Sequence, residues 1–226
     1  MNQAAASDQP LPLGLIAKSL RGTLETFQVD SLSTWLEAVQ HHHSHTFRHS
    51  IMVTGYALAF AQKLKLPADI QALVGLGAVV HDIGKTRIPL AVLDKLGKLS
   101  DEEFTLIKKH PVFSREILEG RKEVPREAID IAVHHHEYLD GSGYPDGLNG
   151  EQIGPLVRLI TICDIFSALV EKRSYKESLT PRQAYAILRE MGSKIDQKLL
   201  QQFRPVAIGI ADFARGAKGP RREKEE

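Results

Sequence analysis

The sequence predicts an all-α fold, and three observations carry that expectation. Apolar side chains recur at helical spacing, as in Val53, Tyr56, Ala57, Phe60, Ala61 and Leu64, which fall at i, i+3 and i+4. Helix start signals punctuate the chain: Ser100-Asp101-Glu102-Glu103 and Thr180-Pro181-Arg182-Gln183 have the form of capping boxes, and Pro111, Pro125 and Pro155 suit first helical positions. No stretch of strand length alternates apolar with polar residues.

Taken in order, residues 1–40 read as a lead-in, flexible up to about residue 12 and then with one or two short helices between Leu13 and Val39. The main domain is expected over 41–205. Its first helix spans about Thr46 to Leu64, and Pro67 opens a second that runs to His81, with Gly84 suiting a left-handed C-terminal cap. Ser100 caps a helix ending near Lys109 and His110, Pro111 starts the next toward Leu118, and Pro125 starts one through Ile129, Val133 and His136. Asp140-Gly141-Ser142-Gly143-Tyr144-Pro145-Asp146-Gly147 is too rich in glycine for helix or strand. Pro155 begins a long helix to about Glu171, Thr180 caps one to Met191, and a last helix covers Ile195 to Phe203. Residues 206–226 are expected to be a solvated tail, partly disordered, with mixed charge at its end.

Composition narrows the function. With 226 residues and 42% hydrophobic content, the chain can bury a full core. A net charge of +1 gives no global basic field, so DNA is not an expected partner. The most apolar windows, near Leu73–Val80 and Leu156–Val170, are too short or broken by Arg158 and Asp164 to span a bilayer. No basic leader precedes a long apolar run, and the single Cys163 rules out an internal disulfide framework, so a cytoplasmic location is expected.

Histidine is the compositional oddity, and its placement matters more than its number. His49 lies on the inner face of its helix, four residues before Val53. His81 and Asp82 end another helix, with Lys85 just beyond, placed to hold an anion. His110 sits at the break before Pro111. In His134-His135-His136, helical phase turns His135 and His136 inward and His134 toward Asp130. Asp164 follows Val157 and Ile160 on an apolar side, where an unpaired carboxylate would be costly. Each residue alone is more simply a hydrogen-bonded core side chain or a solvated one. Together they are explained by a metal cluster held in the core of a helical bundle, with neutral imidazoles as terminal ligands and carboxylates bridging.

His81-Asp82-Ile83-Gly84-Lys85, His135-His136-Glu137 and Asp140-Gly141-Ser142-Gly143-Tyr144-Pro145, in that order, resemble the HD-GYP family, bacterial HD-superfamily phosphodiesterases acting on cyclic di-GMP. The resemblance covers about His45 to Phe203 and implies an HD-superfamily helical bundle. It also implies metal ligation by His49, His81, Asp82, His110, His135, His136 and Asp164, with Asp82 bridging. Lys85 would contact the scissile phosphate, Arg173 and Lys176 would form a phosphate-binding basic pair, and Gly143-Tyr144-Pro145 would border the site. Two divalent ions are expected, iron or manganese before zinc or nickel, activating a hydroxide that cleaves cyclic di-GMP to linear pGpG, GMP or both.

Two positions depart from the family pattern. His45 replaces the glutamate of members with three metals; it is either an extra ligand to a third ion or the mark of a missing third site. Ser167 replaces a usual aspartate. No receiver or sensor segment is evident, so control is expected from a homodimer or from a regulatory partner in trans. The rival readings are a degenerate sensor or adaptor for cyclic di-GMP and an HD phosphohydrolase for another nucleotide.

Overall fold

The structure, a computed structural model, describes residues 45–122, 124–171 and 178–216, the side chains of 45–47 and 210–216 excepted. The expected lead-in, Arg173 and Lys176, the side chain of His45 and the last ten residues lie outside the described residues. The chain forms α1 (His45–Lys63), α2 (Ala68–Val80), a 3-10 turn (Ile83–Arg87), α3 (Leu90–Leu93), α4 (Asp101–Ile107) and α5 (His110–Leu118). It continues with α6 (Arg126–His134), a 3-10 turn (Gly150–Gln152), α7 (Pro155–Val170), α8 (Pro181–Glu190), a 3-10 turn (Gly192–Lys194) and α9 (Gln197–Gly216). Among the described residues the only strand-like pairing is one isolated bridge, Asp140 to Asn149, so the fold is all-α as expected. No helix among them is long and apolar enough to cross a membrane.

Two apolar clusters flank the centre of the molecule. The larger joins α1, α7, α8 and α9 around Tyr56, Phe60, Phe166 and Phe203. Phe166 meets Tyr56 and Phe203 edge to face at 5.1 and 5.2 Å, a favoured aromatic geometry. The smaller joins Leu76 and Val80 of α2 to Leu118 of α5 and Ala128 and Ala132 of α6. Helix α2 serves both, through Val74 and Ala78 on one side and Leu76 and Val80 on the other, which is why its sequence is apolar all round. The two capping boxes form as the sequence predicts, Ser100 with Glu103 and Thr180 with Gln183.

Four local expectations are corrected. Gly84 does not adopt a positive φ; it lies in the 3-10 turn after α2. Its backbone N–H donates to Ser114 Oγ at 2.9 Å, and a methyl group there would overlap the His110 carbonyl oxygen and the Ser114 backbone nitrogen. Glycine is required by close approach, because α5 crosses directly over the end of α2. His110 opens α5 and does not end α4. Helix α6 stops at His134, with His135 as its C-terminal cap and His136 beyond it. The last helix runs on past Phe203 to Gly216 with Pro205 inside it. Proline removes one ladder hydrogen bond, but Val206 and Ala207, which the sequence reading assigned to the tail, are buried in the main core and carry the helix through.

Gly84→Ala should therefore destabilise the fold by about 2–3 kcal/mol, as overpacking against backbone does. Urea unfolding of the metal-free variant measures this; an unchanged midpoint would mean that α5 can move away at no cost.

Candidate metal centre

Side chains from five segments meet between the two apolar clusters. His49 comes from the second turn of α1, His81 and Asp82 from the end of α2, His110 from the start of α5, His135 and His136 from the end of α6, and Asp164 from the middle of α7. All except the half-buried His136 are buried. This brings together every metal ligand expected from the sequence whose side chain is described.

Three of the imidazoles are presented by one local device. His81 Nδ1 lies 2.7 Å from the Ala78 carbonyl oxygen, His110 Nδ1 2.8 Å from that of Ile107, and His135 Nδ1 3.1 Å from that of Ala132. A carbonyl can only accept, so each Nδ1 carries the proton and each Nε2 carries the lone pair. The accepting carbonyls belong to the last turns of α2, α4 and α6, which have no intrahelical partner for them. Each histidine thus satisfies a helix terminus while turning a metal-competent nitrogen inward.

Those nitrogens converge on Asp82. One carboxylate oxygen, Oδ1, lies 3.2 Å from His110 Nε2 and 3.8 Å from His135 Nε2. The other, Oδ2, lies 3.3 Å from His81 Nε2 and 2.6 Å from Lys85 Nζ. Two compact donor groups result, Asp82 with His110, His135 and His136, and Asp82 with His49 and His81, the donor atoms of each within 4.8 Å of one another. Donors about 2.1 Å from one ion sit roughly 3–3.5 Å apart, and His110 Nε2 lies 3.2 Å from Asp82 Oδ1 and His81 Nε2 3.3 Å from Asp82 Oδ2. Asp164 reaches both groups, 2.8 Å from His49 Nε2 and 3.8 Å from His136 Nδ1.

Two further observations fit metal ions. His110 Nε2 and His135 Nε2 face each other at 3.4 Å, although both rings have their proton on Nδ1, so lone pair meets lone pair. His81 Nε2 and Asp82 Oδ1 are buried without a hydrogen-bond partner among the described residues. Unpartnered buried groups cost free energy, and a cation between them removes that cost. The donor set of imidazole and carboxylate suits divalent transition-metal ions.

Electrostatics prepare the ligands. Burial pushes His136 down to about 3, and the neighbouring His110 adds to it. Burial also lowers His135 and His110, so these rings are neutral and able to ligate. Burial alone would raise Asp82, but Lys85, His81 and His110 outweigh it and hold its carboxyl well below the usual carboxylate range. Asp164 is likewise raised by burial and lowered further by His49. Burial would lower His49, yet its hydrogen bond to Asp164 and its contact with Glu171 raise it to about 9.

The glycine-rich loop forms the rim. The Tyr144 ring stacks on His136 at 4.8 Å, and its backbone N–H donates to the His136 carbonyl oxygen at 3.2 Å. A side chain at Gly143 would overlap the backbone of residues 136–138, so only glycine brings the loop this close. Glu137 holds the far side: Asp146 N–H and Gly147 N–H donate to its Oε1 at 2.6 and 3.0 Å, and Leu148 N–H donates to Oε2 at 3.1 Å. Sequence reasoning assigned Glu137 no role, and it missed Glu171, a buried carboxylate two helical turns after Asp164. Both carried a readable signal: Glu137 is the charged residue next to two inward histidines, and Glu171 shares the helical phase of Asp164. His134 points away from the centre to Asp130 at 2.6 Å, as its phase predicts.

A helical bundle with paired histidine and carboxylate donors at its helix ends defines a metal-centre protein of the His-Asp kind. The HD domain family matches residues 33–199, and the chain belongs to it. Its His-Asp pair, double histidine and Gly-Tyr-Pro loop agree with the HD-GYP resemblance. The cyclic di-GMP phosphodiesterase PA4108 of Pseudomonas aeruginosa is 36% identical over 166 residues, 74% of this chain and 40% of that protein. The 3'3'-cGAMP-specific phosphodiesterase 1 of Vibrio cholerae is 39% identical over 147 residues, 64% of this chain and 33% of that protein. The chain thus spans less than half the length of these curated relatives. Among solved structures, Bd1817 of Bdellovibrio bacteriovorus, described as an HDG"Y"P protein, aligns with a TM-score of 0.62 at 21% identity over 91% of this chain and 74% of that one, which establishes the fold.

Replacing Glu137 by glutamine leaves one amide edge unable to accept from the loop. Glu137→Gln should cost about 1–3 kcal/mol and speed amide hydrogen exchange at residues 146–148, while metal content stays at the wild-type level. Exchange rates by NMR test this; unchanged protection would show the loop to be held by other contacts.

Proposed function

We propose that this chain is a metal-dependent phosphodiesterase that hydrolyses cyclic di-GMP, with linear pGpG, GMP or both as product. One observation carries the reading: a buried carboxylate, Asp82, offers a different oxygen to each of two sets of buried imidazoles. Such an arrangement suits two divalent ions, with Asp82 between them, His110, His135 and His136 on one, His49 and His81 on the other, and Asp164 facing both. Iron or manganese fits the nitrogen and oxygen donors best, and a third ion would require His45. Bound divalent ions supply Lewis acidity toward a phosphodiester and a nucleophile at neutral pH.

The protein's own groups do the rest. Lys85, with its ammonium 2.6 Å from Asp82 and its side chain 22% exposed, stands where the buried site meets solvent. It would neutralise charge on a phosphoryl oxygen as that charge develops. Arg173 and Lys176 are assigned to the flanking phosphate contacts. Gly143-Tyr144-Pro145 walls the entrance, with the Tyr144 ring fixed on His136. A cytoplasmic location fits a chain whose single cysteine, Cys163, is buried and free. Control by a second copy or by a regulatory partner completes the reading.

A second substrate reading is favoured by the relative of Vibrio cholerae named for 3'3'-cGAMP. Incubating the Mn²⁺-loaded protein with cyclic di-GMP and 3'3'-cGAMP, and separating the products by chromatography, decides between them. Cyclic di-GMP should be consumed faster, and chelation should abolish turnover until Mn²⁺ or Fe²⁺ is restored. Asp82→Ala should lose both ions and lower kcat by about 10³-fold or more, with helical circular dichroism retained. Full metal content and substrate binding without hydrolysis would make the protein a sensor instead.

A further inference from the structure

We infer that Glu171 is a positioning residue for His49, fixing this ring so that its Nε2 faces the centre; the inference rests on the metal-binding reading above. The other oriented rings, His81, His110 and His135, use backbone carbonyls at Nδ1. His49 cannot, because it lies inside α1, where carbonyls are taken up by the helix's own ladder. Its Nδ1 is buried with no hydrogen bond among the described residues. What faces that nitrogen is a carboxylate, Glu171 Oε2, in an ion-pair contact at 3.6 Å.

The setting of Glu171 makes its carboxylate a strong acceptor. It is 5% exposed and caps the C-terminus of α7, so it is both desolvated and set at the negative end of a helix dipole. It lies seven residues after Asp164, two turns along one helix face. From that face Asp164 reaches His49 Nε2 at 2.8 Å and Glu171 reaches Nδ1, so two carboxylates grip one ring from opposite sides. A ligating imidazole gives one nitrogen to the ion and its other N–H to an acceptor, which sets tautomer and ring angle. Glu171 would do this for His49 and, through it, for the ion of the His49, His81 and Asp82 group. It belongs to neither donor group.

Titrating metal-free protein with Mn²⁺ by calorimetry, and with Co²⁺ by visible absorption, tests the assignment. Glu171→Leu should weaken one of two sites by about 10–100-fold and leave the other at wild-type affinity. Glu171→Gln, whose amide oxygen can accept the Nδ1 proton, should recover most of that loss. Selective weakening of one site distinguishes positioning from a general loss of structure, which would affect both. If Glu171→Leu does not fold, Glu171→Asp carries the test, since it withdraws the carboxylate by one methylene and should weaken the same site. Wild-type affinity at both sites in the folded variant, or equal weakening at both, overturns the inference alone. A wild-type protein that takes up no metal overturns the metal-binding reading and this inference with it.

Discussion

A carboxylate almost sealed from water must be met by positive charge, and the placement of Asp82 constrains much of this fold. Taking an ionised carboxylate out of water costs several kcal/mol unless partners replace its hydration. Asp82 is 4% exposed and is held ionised chiefly by the Lys85 ammonium. Lys85 alone leaves Oδ1 unmatched, because its ammonium reaches Oδ2. What surrounds Oδ1 is a set of neutral rings whose lone pairs also need a cation. A positive ion among these groups would satisfy them together, and its binding would add to the stability of this region.

Helix ends make the arrangement affordable in geometry. A helix terminus has free carbonyls, and a histidine placed three residues on can donate to one while facing away from the helix. His81, His110 and His135 all use this offset. The fold needs only to aim three helix ends at one point. Gly84 permits the close approach of α5 over the end of α2, and the smaller apolar cluster of Leu76, Val80, Leu118, Ala128 and Ala132 holds α2, α5 and α6 behind the site.

How much of this was legible in the sequence follows from what periodicity measures. Helical phase reports which residues turn inward, so His49 and Asp164 could be placed on core-facing sides before any geometry was known. It reports nothing about what an inward residue touches. For that reason the role of Glu137 as an acceptor for three loop N–H groups, and the contact between Glu171 and His49, could not be read. Phase also assumes that the helix continues, and α6 ends at His134, so His136 reaches the site by a different path from the one phase predicts. The opposite error fell at the last helix, expected to end at Phe203 and carried on to Gly216 by the burial of Val206 and Ala207. Gly84 was recognised as special for the wrong reason, since a close contact and a left-handed turn both demand glycine and the sequence does not separate them.

The rim loop has little regular structure of its own, yet it is joined to the centre at consecutive residues. His136 carries the Tyr144 ring and accepts its N–H, and Glu137 gathers the N–H groups of residues 146–148. The residue that offers a ring to the centre is therefore bonded in sequence to the residue that fixes the loop. A shift of His136 on taking up an ion would be passed to Tyr144 by direct contact and to residues 146–148 through one peptide bond. No separate hinge is needed to relate the state of the centre to the shape of its entrance, because the two share one short segment of backbone.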